Sequence, residues 1–69
     1  MKQYDTFILK TDLNLEIKAG MTGVILEIWS KDDIEVEFVK DDGTNYEYNG
    51  QATFTIKKDI IHLNESASL

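Results

Sequence analysis

The chain lacks cysteine, proline and arginine, and it holds a single histidine. Without cysteine, no disulfide staples the fold, thiol nucleophiles are excluded, and a zinc site loses its commonest ligands. Without proline, loop rigidity has to come from hydrogen bonds and glycine turns. No apolar run approaches membrane-spanning length, and Met1-Lys2-Gln3-Tyr4-Asp5 has none of the hydrophobic stretch of a secretory signal. A cytoplasmic protein without membrane contact is expected.

What is present is mostly negative charge. Seven lysines face thirteen acidic residues, for a net charge of −6. Such a surface repels phosphate backbones, which argues against DNA and disfavours RNA, and it attracts a basic protein. The same charge also serves solubility. A hydrophobic fraction of 42% in 69 residues suits one small globular domain with a barely sufficient core. That domain is expected over residues 1–63, with a small, polar, flexible tail at 64–69.

The organising stretch runs from Lys18 through Gly20 and Gly23 to Trp29. Strict alternation from Val24 onward would place Val24, Leu26 and Ile28 on the core side of a strand and Ile25, Glu27 and Trp29 on the other. Before it, Phe7-Ile8-Leu9 reads as a first strand, and the alternating Leu13, Leu15 and Ile17 suit an extended segment lying along the core. Gly20 permits the turn into the long strand. Ser30 to Asp33 is a polar link of hairpin length, followed by Ile34-Glu35-Val36-Glu37-Phe38-Val39, whose apolar members face inward and whose glutamates face water.

Asp41-Asp42-Gly43 carries a register argument. A two-residue turn would send both tyrosines to the Glu37 face. A three-residue loop with Gly43 left-handed pairs Phe38 with Tyr46 and Val36 with Tyr48, which gathers the aromatics on the apolar face. Asn49-Gly50 is a strong tight-turn signal, yet a tight turn there sets Phe54 opposite Asn45. Ala52, Phe54 and Ile56 rejoin the core only if the link is longer or bulged, or if the strand moves to another edge. A helical turn near Lys57-Asp59 and a last short strand over Ile60 to Leu63 complete an all-β chain of five to six short antiparallel strands. Apolar faces on so many short strands, with no helix to cover them, predict a small, strongly bent barrel.

Leu15 through Val39, and above all Ala19-Gly20-x-x-Gly23-x-x-x-Glu27-Ile28-Trp29 followed by Ile34-Glu35-Val36-Glu37-Phe38, resembles a family of short bacterial SH3-like barrels of unknown function. Asp41-Asp42-Gly43 and Thr55 to Ile60 resemble that family's later segment, so the likeness spans about Phe7 to Leu63. The chain departs from the pattern at Tyr46 to Thr53, with extra residues around Asn49-Gly50. The glycines are also similar to the KOW motif of ribosomal and transcription-associated barrels, although the basic residues usual there are replaced by acidic ones. The resemblance implies a small SH3-like barrel and leaves activity open.

Chemistry-bearing constellations are sparse. His62, between Ile61 and Leu63, reads as an edge residue rather than a general base. Asp41 to Asn45 lacks the ligand spacing and late glutamate of a calcium loop and reads as turn chemistry. The glycines around Met21-Thr22 precede no helix that would make a phosphate site. No catalytic group, cofactor site or metal site is expected, and the chain reads as a non-enzyme. The candidate partner-binding residues are Ile25, Glu27 and Trp29 with Glu35 and Glu37, an aromatic centre with a charged rim; packing of Trp29 over the barrel end is the competing reading. The expected function is a small acidic binding module, in its concrete form an immunity protein or antitoxin that blocks a basic toxin. A KOW-like RNA accessory using Lys57 and Lys58, or a structural subunit of a larger complex, are the alternatives.

Overall fold

A computed structural model describes residues 1–64. The strands are β1 (Thr6–Leu9), β2 (Thr22–Ile28), β3 (Asp33–Phe38), β4 (Phe54–Lys57) and β5 (Ile61–Leu63), with a single 3₁₀ turn at Lys58–Ile60 between the last two. They form one antiparallel sheet in the order β4-β3-β2-β1-β5. One sheet with no helical layer buries Phe7, Ile17, Ile25, Ile34, Val36 and Phe38 completely. It does so by coiling on itself, as the all-β small SH3-like barrel expected from the sequence does. The three phenylalanines form its centre: Phe7 meets Phe38 edge-to-face at 5.7 Å, and Phe38 lies 5.8 Å from Phe54.

The phase of β2 corrects the sequence reading. Ile25 pairs with Val36 and is fully buried, while Val24 pairs with Glu37. The ladder then shifts between Ile25 and Glu27, so that Glu27 stands opposite Glu35 and Ile28 opposite Ile34. Leu26 is the extra residue of a β-bulge, which lets Ile25 and Ile28 share the inner side and leaves Val24, Glu27 and Trp29 on the outer one. Strict alternation predicted Ile25 as part of the outer, partner-binding face; the bulge makes it a core residue.

The two glycines of the organising stretch have different roles, and Gly23 is not a turn residue. It sits inside β2, paired with both Phe7 and Phe38, and a Cβ there would lie 2.3 Å from the Phe7 Cζ and 2.8 Å from the Glu37 carbonyl oxygen. Its missing side chain is what lets the Phe7 ring cross β2. Gly20, at φ +95°, does make the turn.

Leu13 to Ile17 folds back instead of running along the core. The Ile17 carbonyl accepts from the Leu13 and Asn14 amides, and the Asn14 Oδ1 accepts from the Glu16 and Ile17 amides. Ile17 is buried and Leu13 half-buried, but Leu15, expected against the core, stands at the apex with 78% of its surface exposed. Alternation here reports an Asx-type turn.

The Asp41-Asp42-Gly43 loop takes the expected register. Gly43 has φ +91°, Val39 bridges Asn45, and the Tyr46 amide donates to the Phe38 carbonyl. Asn49-Gly50 is indeed tight, with both residues at positive φ and Tyr48 and Gln51 exchanging two hydrogen bonds. The strand then transfers to the edge of β3, so Phe54, not Tyr48 as expected, stands opposite Val36. Tyr46 and Tyr48 pack at the margin of the core. Asn64 donates its amide to the Thr6 carbonyl and its side chain to the Thr6 hydroxyl, so it belongs to the sheet edge; the rest of the expected tail lies outside the described residues.

Candidate outer-face binding site

Residues paired across neighbouring strands share a face, and on the outer side of β2–β4 the register stacks them in rungs. One rung holds Glu27, Glu35 and Thr55. The next holds Asp33 and Lys57, with Trp29 joined to Asp33 through a hydrogen bond from its amide to the Asp33 carbonyl. On the other side lies the rung of Thr6, Val24 and Glu37. Four of the five expected site residues, Glu27, Trp29, Glu35 and Glu37, thus share one surface.

Trp29 is 60% exposed, which decides against its packing over the barrel end. Its indole N–H donates to the Glu35 Oε1 at 3.2 Å, and the Thr55 hydroxyl donates to the same oxygen at 2.5 Å. The Thr55 hydroxyl, with smaller help from Trp29 and Thr53, holds the Glu35 carboxyl below the usual carboxylate range against the opposing effect of partial burial. Glu37 accepts from the Asn45 side-chain amide at 3.0 Å. Thr55 as a support for Glu35 escaped sequence reasoning because its place depended on the unsettled path through Asn49-Gly50; Asn45 escaped it although the Gly43 register placed it opposite Val39.

The lysine on these rungs, Lys57, is already paired. Lys57 Nζ lies 2.6 Å from Asp33 Oδ1, which lowers the Asp33 pKa and raises that of Lys57. The other ion pair among the described residues joins Lys18 to Asp12 at 3.5 Å. Glu27, Glu35 and Glu37 have no ion-pair partner among the described residues. Glu27 and Glu35 stand directly opposite, a like-charge pair that costs the free chain stability.

Other candidates resolve into structure. Asp42 Oδ1 accepts from the amide and hydroxyl of Thr44, so that carboxylate is committed to its turn. Among the described residues no three potential metal ligands converge. His62 is exposed on β5, opposite Ile8. A hollow beside the 3₁₀ turn is lined by Asp32, Lys57, Lys58 and Asp59, two carboxylates and two lysines whose charges balance. Among the described residues no helix is long and apolar enough to cross a membrane. No protein-family model, no curated protein and no solved structure matches the chain.

Proposed function

We propose that this chain is a small acidic, non-enzymatic binding module whose outer face engages a basic protein, and that its concrete role is that of an immunity protein or antitoxin covering the cationic substrate site of a toxin. The resemblance to short bacterial SH3-like barrels belongs to the same reading and is likewise a proposal. The observation that carries it is the exposed Trp29 at the end of an outer-face row that holds Glu27, Glu35 and Glu37, none of them neutralised by a described lysine. An aromatic anchor with a charged rim is the composition of an interface centre, and the negative field speeds encounter with a basic partner.

The test captures partners from extract of the source cell, identifies them by mass spectrometry, and titrates the purified partner calorimetrically. The partner should carry net positive charge. Replacing Glu27, Glu35 and Glu37 together by lysine should weaken binding by about 100-fold or more, since like-charge juxtaposition costs several kcal/mol. Unchanged affinity would sink the acidic-face reading. The KOW-like alternative relies on Lys57 and Lys58, and Lys57 is committed to Asp33. RNA retention at low salt that vanishes on replacing both lysines would favour that alternative.

A further inference from the structure

We infer that the outer face recognises arginine rather than lysine on its partner, with a guanidinium stacked on the Trp29 indole and forked onto the Glu27 carboxylate. This rests on the basic-partner reading above and names its central contact.

The Trp29 ring is exposed, and a hydrogen bond orients it. Its amide is fixed to Asp33, and its N–H points at Glu35, whose carboxylate is in turn held by Thr55. The ring is therefore tethered by its N–H edge, which leaves indole surface open to solvent. One rung away, Glu27 has no hydrogen-bond or ion-pair partner among the described residues. A tethered aromatic surface beside an unspent carboxylate matches a group that is flat, cationic and rich in in-plane donors. Guanidinium has all three properties: it stacks on aromatic faces, pairs with carboxylates in a fixed fork and is weakly hydrated. An ammonium is a compact, strongly hydrated point charge and meets only the charge requirement. A bare metal ion does not fit, since no three potential ligands converge among the described residues.

The Glu27–Glu35 pair adds a second line of argument. Two carboxylates directly opposite on neighbouring strands repel in the free chain, and a cation seated against them removes that cost. Glu27 should accordingly be a residue whose neutralisation stabilises the free protein and weakens its binding. A glutamate retained only for solubility would show the first effect without the second.

The chain has one tryptophan, so its fluorescence reports on this site alone. Two short peptides serve as probes, each with three cationic residues spaced by Gly-Ser, one set arginine and the other lysine. The arginine peptide should bind at least five-fold more tightly and perturb the indole emission. By calorimetry, Trp29→Ala should bring the two affinities together. Trp29→Phe, which keeps an aromatic face, should retain part of the preference. Glu27→Gln should weaken arginine-peptide binding while raising the melting temperature of the free chain.

Equal affinity for the two peptides, or an arginine preference that survives Trp29→Ala, overturns this inference and leaves the acidic-face reading standing. So does Glu27→Gln with undiminished binding. If neither peptide binds, the inference also fails, and the triple charge reversal against the captured partner decides separately whether the broader reading fails with it.

Discussion

The two faces of β2–β3–β4 are built from the same residues in alternation, and they obey different physics. On the inner face Ile25, Val36 and Phe54 form one rung and Ile28, Ile34 and Ile56 the next, and most of these side chains are buried. Each inner position is defined by the volume around it. On the outer face the corresponding rungs are Glu27-Glu35-Thr55 and Trp29-Asp33-Lys57, and all of these side chains but Glu27 are joined by hydrogen bonds at the surface. There a side chain is specified by its charge and its partner, and volume hardly matters. Volume governs one side of a sheet one residue thick, and charge the other, where the proposed recognition surface lies.

Substitutions probe that division, beginning with the largest effect. Phe38→Ala removes the ring that both other phenylalanines touch, and should cost about 3–5 kcal/mol in chemical denaturation. For a domain of this size that is about half or more of the total, at roughly 0.1 kcal/mol per residue, so the variant should melt far below the parent. Gly23→Ala adds a single methyl against Phe7 and the Glu37 carbonyl and should cost about 1–3 kcal/mol, since neither ring nor backbone yields easily. A Gly23→Ala protein as stable as the parent would break the comparison, because it would mean the inner face tolerates volume.

Outer-face changes should be smaller and should depend on solution conditions. The Glu35 pKa is lowered on folding, so its contribution is present above the ordinary carboxylate value and is lost as pH falls below that value toward its folded one. Glu35→Gln should therefore flatten the acid side of the stability–pH curve, measured by melts from pH 3 to 7, and do little to its slope near neutrality. An unchanged acid limb would contradict the Thr55 and Trp29 contacts. Glu27→Gln should stabilise the free chain by about 0.2–1 kcal/mol at low salt, and the gain should shrink as salt rises. Leu15→Ser, at an exposed turn apex, should stay within about 0.5 kcal/mol of the parent.

Legibility followed the same division. The inward set Ile34, Val36 and Phe38, the register at Gly43 and the helical turn before the last strand were readable, because each rests on local alternation or on turn chemistry. The phase of β2 was not, because a bulge leaves no mark in a pattern of apolar residues. Val24, Ile25, Leu26 and Ile28 are all apolar, and any two of them satisfy alternation. Leu15 misled for a related reason: the Asn14 side chain, not the hydrophobic period, shaped its turn. At Asn49-Gly50 the turn type was legible, but where the chain goes afterward was decided by Phe54 reaching Val36, a contact far away in sequence. The candidate site was legible as a composition, an aromatic among glutamates. Its membership changed by one residue, Ile25, when the phase was corrected.

The bulge at Leu26 also limits how this surface can be transplanted. Upstream the ladder pairs Gly23 with Phe38 and Ile25 with Val36; continued without interruption it would set Leu26 opposite Glu35 and Glu27 opposite Ile34. Holding the full sequence in a regular ladder is therefore a frameshift in space, which turns Glu27 and Trp29 to the inner side and leaves Glu35 and Glu37 on the outer one. Deleting Leu26 has no such effect, since the ladder then runs regularly with Glu27 still opposite Glu35 and Ile28 still opposite Ile34. Grafting Trp29 and the glutamates onto a regular hairpin works only with Leu26 left out. The portable unit is the pairing from Gly23 to Phe38, which holds with the inserted residue bulged or absent.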